Sequence, residues 1–324
     1  MSRTKRWAAL ALLPLALAAC SSGSGGGGGD AEGGSGTGGG LTFAVITHSD
    51  GTDNFFPVLQ NGAEDAGENL GDTVNYTYSI DPLEQAGLID QAVAEGVDGI
   101  AVTLPNADAL RSSIEAAEAA GIPVVTMNAG ADDSASVGAI GHVGQDETIA
   151  GQGAGERLKE AGVTNLLCLI HEAGNIALNQ RCAGVTDTLG GTVTELQVNS
   201  ANLSDVSSSV SAALQADPSI NGVIALNPGV ATAALTGMQS AGSDAQLATF
   251  DLSPDVIASV QAGDMLFAVD QQQYLQGYLP VQMLDLYVHN LNTVGGGQTV
   301  LTGPGFVTAE NAGEVADLTE KGTR

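Results

Sequence analysis

The chain has 324 residues, 37 of them acidic and 9 basic, for a formal net charge of −28 at pH 7. A surface of that sign repels polyanions, which excludes nucleic acid and anionic lipid headgroups as binding partners. Three of the basic residues, Arg3, Lys5 and Arg6, sit at the very start, so the rest of the chain is still more acidic.

Those three positive charges open a leader. An apolar run from Trp7 to Ala19 follows, too short for a stable membrane-spanning helix. It ends in Leu17-Ala18-Ala19-Cys20, the lipobox pattern in which a lipid is attached to the cysteine at the cleavage point. Residues 1–20 are therefore expected to be a lipoprotein signal peptide with Cys20 as the anchor. Residues 21–40 are almost all Gly and Ser, a flexible tether unable to bury a core. The implied location is extracytoplasmic, on the periplasmic side or outer surface of the cell membrane and held there by lipid alone.

From Leu41 the chain alternates apolar runs with helical patterns. "LTFAVIT" reads as a buried strand, and "FFPVLQNGAEDAGENLG" as a helix closed by Gly71. "TVNYTYSI" is a strand, residues 81–95 a helix opening Asp-Pro, and "GIAVTL" a strand. A helix over "NADALRSSIEAAEAAG" leads to the strand "IPVVTMN". Next come a helix over 146–161, the strand "NLLCLI", a helix over 176–189 and the strand "TVTELQV". A helix over 203–215 precedes "NGVIAL", a helix over 230–241 precedes "AQLATF", and a helix over 254–262 precedes "MLFAV". A longer helix over 274–290 and a closing strand near 306–308 complete the pattern.

Continuously apolar strands alternating with helices indicate parallel sheets covered on both faces. About ten such units exceed one open sheet, so the expected fold is α/β with two doubly wound domains; a closed (β/α)₈ barrel is the rival. Ligands of open α/β sheets sit beyond the C-terminal strand ends. Here those ends carry Thr47-His48-Ser49-Asp50, Leu104-Pro105-Asn106, Asn128-Ala129-Gly130, His171-Glu172, Asn227-Pro228, Asp251 and Asp270-Gln271. They suit hydroxyl groups and contain no cluster of three or four metal ligands. No metal and no cofactor is expected.

The stretches "NFFPVLQNGAEDAGENLG", "GVDGIAVTLPNADAL", "AGIPVVTMNAG", "NGVIALNPGVATAAL" and "ATFDLSPDVIASVQAG" resemble, in order and spacing, the type I periplasmic sugar-binding proteins of the ribose and galactose group. The resemblance implies two domains joined by a three-crossing hinge: residues 41–145 with 272–305, and residues 146–271 with 306–324. It implies a monosaccharide or sugar alcohol in the cleft, an ABC permease and its ATPase as partners, a monomer, and binding rather than catalysis. A ligand sensor of the same fold, signalling to a histidine kinase or chemoreceptor, is the alternative.

Residue by residue, Phe55 and Phe56 match the family's paired aromatics, which stack on sugar rings, and Asp53 falls on the polar position before them. Asp251, Asn227 and Gln271 match hydroxyl-binding positions, and Arg181 matches an arginine fork. Asn128-Ala129 replaces an Asp-Arg pair of the ribose-binding members, Leu104 replaces a polar residue, and Asn202 or Leu203 stands where an aromatic is usual. Glu172 and His171 lie at the cleft mouth, with contact open for each, as it is for His48, His142 and Asn202.

Cys168 and Cys182 are an isolated pair in an oxidising compartment. A zinc site, a nucleophile, two free thiols and a disulfide are the competing readings, and a disulfide beside Arg181 is the expected one. Asp53 and Asp251 as a glycosidase carboxylate pair is disfavoured by the resemblance.

Overall fold

A computed structural model describes residues 40–324 except Asp53; the leader with Cys20, the tether up to residue 39, and Asp53 lie outside the described residues. The first run of elements is β1 (Thr42–Thr47), α1 (Phe56–Leu70), β2 (Thr73–Tyr78), α2 (Pro82–Glu95), β3 (Gly99–Thr103), α3 (Ala107–Ala119), β4 (Val124–Met127), the single turn α4 (Ala131–Ser134) and β5 (Gly141–Gln145). The second is α5 (Glu147–Glu160), β6 (Asn165–Ile170), α6 (Ile176–Leu189), β7 (Thr192–Gln197), α7 (Leu203–Ala216), β8 (Gly222–Ala225), α8 (Pro228–Ala241), β9 (Gln246–Phe250), α9 (Pro254–Ala262) and β10 (Phe267–Asp270). The chain then forms α10 (Gln273–Asn290), β11 (Val300–Gly303), β12 (Gly305–Thr308) and α11 (Ala312–Glu320).

Two six-stranded sheets result, in the orders β2-β1-β3-β4-β5-β11 and β7-β6-β8-β9-β10-β12. Pairings are parallel except β12, which runs antiparallel to β10. Both sheets share one doubly wound order, with the reversal beside β1 and β6, where polar loops gather. α10 packs on α1 and α5 packs on α6. The chain therefore passes between the sheets three times: after β5, after β10 and between β11 and β12.

Each sheet has a core on both faces, as its parallel strands require. Phe43 and Val45 point into one core with Leu59 of α1 and Val281 of α10, while Ala44 and Ile46 point into the other with Ile89 of α2 and Ile114 of α3. This strict alternation is the two-residue period of a strand. In the second sheet Leu167 and Leu169 face one core, and Leu166, Cys168 and Ile170 the other.

Two strands and two helices, the single turn α4 and α11, lie beyond the sequence-based reading. β5 has the sequence GHVGQ, whose glycines and polar residues give no apolar run, and it is held as a strand by β4 and β11 on its two sides. β11, with only four residues, exists through that same pairing. α11, absent from the expected pattern, packs on α9.

Candidate functional site

The loops beyond the C-terminal strand ends of both sheets meet around a cavity of about 570 Å³, its mouth included. From the first sheet come His48, Asp50, Phe55, Phe56 and Asn128. From the second come His171, Glu172, Asn175, Arg181, Asn227 and Asp251, with Gln271 on the second crossing. Eight residues singled out from the sequence, Phe55, Phe56, Asn128, Glu172, Arg181, Asn227, Asp251 and Gln271, are thus brought together. Asp53 is outside the described residues. Asn202 lines no part of this cavity and caps α7, accepting from the Asp205 amide at 3.4 Å. His142 is buried in β5, its Nδ1 2.9 Å from Thr126 Oγ1, away from the cavity.

Local sequence explains several placements. The Phe55 carbonyl accepts from Val58 and Leu59 as α1 begins, with Pro57 in the first turn where its missing N–H costs nothing. The two rings meet edge to face at 5.1 Å, and Phe56 meets His48 the same way at 5.0 Å. Asn227 Oδ1 caps α8 through Gly229 N at 2.8 Å, leaving its NH₂ as the group it offers a ligand. Asn175 caps α6 through Ala177 N in the same manner.

Asn128 and Asp251 occupy equivalent positions, one residue past β4 and β9. Both have positive φ, 63° and 69°. For non-glycine residues this region costs energy and persists at sites where the surroundings impose it. Each backbone N–H is spent on the neighbouring strand, Asn128 on Val143 O at 2.9 Å and Asp251 on Val269 O at 2.8 Å. Their side chains meet through Gln271. Its Nε2 donates to Asp251 Oδ1 at 2.6 Å, and its Oε1 accepts from Asn128 Nδ2 at 3.3 Å and from Gln276 Nε2 at 2.9 Å. Burial pushes the Asp251 carboxyl up to about 7, against the pull of Arg181 and of the Gln271 hydrogen bond, with Glu147 and Asp270 adding to the rise. His171 is pushed down to about 4 by burial; Glu172 resists, while Arg181 and His48 add to the fall.

Arg181 is buried and stacks over Phe250 at 4.6 Å from the ring centroid. Its fork is already occupied: Nε donates to Glu147 Oε2 at 2.6 Å and Nη2 to Glu147 Oε1 at 3.0 Å, while Nη1 reaches Leu226 O at 3.4 Å. Burial opposes the charge, but Glu147, its hydrogen bonds and the carboxylates Asp251 and Glu172 outweigh it and hold the guanidinium pKa above its ordinary value. Cys168 and Cys182 form a disulfide, S–S 2.01 Å and Cα–Cα 6.1 Å, tying α6 to β6 one residue from Arg181. Closing a loop of that length stabilises by about 3 kcal/mol.

Contacts span the two halves of the cleft. Gln180 Nε2 donates to Asp132 Oδ2 at 3.0 Å, and Asn175 Nδ2 lies 3.5 Å from His48 Nε2, beside Glu172 Oε2 at 3.9 Å. Among the described residues no group of three or more His, Cys, Asp or Glu could hold a metal ion, and no helix is long and apolar enough to cross a membrane.

Sequence reasoning placed Asp50 among the strand-end residues without giving it a ligand role, and did not assign Asn175, Ser200 or Glu147. Asp50 carries a usable signal, its place just after β1, and Asn175 another, its place at the start of α6. Ser200 follows an outer strand, and nothing local marks it.

The family model for the periplasmic binding protein domain matches residues 43–290. A solved carbohydrate transporter from Acidothermus cellulolyticus 11B, in complex with myo-inositol, is 43% identical with a TM-score of 0.86, covering 88% of this chain and 100% of that one. The D-apiose import binding protein of Paraburkholderia graminis is 28% identical over 97% of this chain and 98% of its own length. The ribose import binding protein RbsB of Bacillus subtilis is 26% identical over 72% of this chain and 78% of its own. With its paired doubly wound sheets and the cleft between them, the chain belongs to the periplasmic binding protein domain family.

Proposed function

We propose that this chain is the extracytoplasmic solute-binding subunit of an ABC importer, lipid-anchored through Cys20, that takes up a neutral polyhydroxylated ligand. A monosaccharide or sugar alcohol fits the class, and a cyclitol fits best. The observation that carries this reading is a cleft built from both sheets in which an aromatic pair, Phe55 and Phe56, adjoins hydroxyl-binding groups. Asp251 and Glu172 accept, the Asn227 amide donates, and two N–H groups of Arg181 remain for donation. Aromatic faces take the apolar side of a ring, and buried donors and acceptors reject ligands that leave them unpaired. The likeness to the inositol-bound carbohydrate transporter supports the cyclitol reading.

The same reading divides the chain into lobes at 41–145 with 272–305 and 146–271 with 306–324, hinged at the three crossings. Only a closed cleft engages both sets of residues, so a ligand stabilises closure by its differential affinity for that form. A permease and its ATPase would then receive the loaded protein. A thermal-shift screen with myo-inositol, other cyclitols, pentoses, hexoses and hexitols, followed by calorimetry, tests the reading. The expected result is saturable one-to-one binding of at least one neutral polyol; binding of none across the panel would overturn it.

A further inference from the structure

The position of Glu147 has consequences for which ligands the cleft accepts. Glu147 is the first residue of α5, next to the first crossing, and it is buried. Both of its carboxylate oxygens are directed at Arg181, and Oε2 also accepts from Gln145 Nε2 at 2.8 Å. Arg181 is the only Lys or Arg among the described residues lining the cavity, against three carboxylates, Asp50, Glu172 and Asp251. Its guanidinium is the one permanent positive charge among the described lining residues, and a buried bidentate partner has already taken it.

We propose that Glu147 is a specificity-determining positioning residue: by serving as the internal counter-ion of Arg181, it makes the cleft select neutral polyols and reject sugars that carry a carboxylate. This rests on the neutral-polyol reading above. A bidentate carboxylate fixes the guanidinium plane as well as its charge. What remains for the ligand is a pair of oriented N–H donors, suited to hydroxyl or ring oxygens. A uronate entering this site would have to compete with Glu147 for the fork while facing the other carboxylates in a medium of low dielectric, where like charges repel strongly. The close approach of α5 and α6 makes the arrangement possible. Gly151 and Gly184 let the two backbones touch: a Cβ on Gly151 would run into the Arg181 carbonyl, and one on Gly184 into the Thr148 carbonyl.

The test uses the mature protein and two ligand pairs, D-galactose with D-galacturonate and D-glucose with D-glucuronate, plus myo-inositol, all measured by calorimetry. Wild type is expected to bind neutral members and to reject the uronates. Glu147→Gln should raise the uronate-to-neutral affinity ratio at least about tenfold, whereas Glu147→Asp, which keeps the charge, should preserve the discrimination. The pH midpoint of ligand affinity should also move down in Glu147→Gln, because Glu147 is one of the charges that raise Asp251. Should Glu147→Gln fail to fold, Glu147→Asn replaces it, with room for a water beside the guanidinium. Wild type binding uronates as well as neutral sugars would overturn the inference, as would an unchanged ratio in a folded, sugar-binding amide variant. Wild type binding neither the neutral sugars nor myo-inositol would instead count against the functional reading.

Discussion

Asp251 combines three unfavourable features that one role explains. It is buried, its backbone has positive φ, and its carboxyl is raised to about 7. A folded-state pKa above the ordinary carboxylate value means the folded protein holds its proton longer than the unfolded chain. Stability therefore falls as pH rises from about 4 to about 7, then levels off. Asp251→Asn removes that penalty, worth on the order of 1–4 kcal/mol. The ligand-free variant is expected to melt above wild type at pH 8, with the difference closing towards pH 4 in a calorimetric series. The same substitution should weaken polyol binding at least about tenfold, because a strong acceptor becomes an amide. His142 and His171, both lowered to about 4 with burial as the main cause, act in the opposite sense. The unfolded chain protonates them first, so their contribution to stability is lost as pH falls from about 6.5 to about 4.

Helix pairs carry the next level of the design. α1 meets α10 and α5 meets α6 through glycines that allow backbone contact: a Cβ on Gly62 would strike the Tyr274 carbonyl, and one on Gly277 the Leu59 carbonyl. Each pair flanks one sheet, and each brings a chain crossing against its own lobe. Gly87 in the middle of α2 is different: a methyl group there would point into open space, with no atom within 4 Å. The two kinds of glycine should respond with opposite signs to the same substitution. Gly184→Ala overpacks a backbone contact, should cost about 1–3 kcal/mol or more, and should weaken binding by moving Arg181 off Glu147. Gly87→Ala relieves helix entropy and should stabilise by roughly 0.5–1 kcal/mol. Melting curves of the two variants beside wild type check both; a stabilised Gly184→Ala would refute the close-contact account.

Across the whole molecule the two sheets follow one plan. His48 after β1 answers to His171 after β6, Asn128 after β4 to Asp251 after β9, and Gln145 at the end of β5 to Gln271 just past β10. The cleft is therefore assembled from like positions of two similar halves, and ligand binding is a contact between them. Gln180 with Asp132, and Asn175 with His48, bridge the cleft. If closure is driven by ligand, small-angle scattering should show a smaller radius of gyration when the identified polyol saturates the protein than when it is absent. An unchanged radius at verified saturation would refute the hinge while leaving the binding function standing.

Much of this was legible in the chain itself. Apolar runs such as NLLCLI, helix starts such as Asp81-Pro82, and glycine stops such as Gly71 are local signals, and local energetics set them. The polar residues just past the strands followed from the rule that parallel sheets present their C-terminal ends to ligand, and most of them do line the cleft. Tertiary structure decided the rest. β5 and β11 are strands because neighbours supply their hydrogen bonds, so their own sequences do not show them. Arg181 was readable as a fork, but its pairing with Glu147, 34 positions away, was not. That pairing depends on two helices approaching through bare glycine backbone. Residue order sets local conformation and hydrophobic period, whereas the charge a buried group presents to a ligand depends on which distant group the fold places beside it.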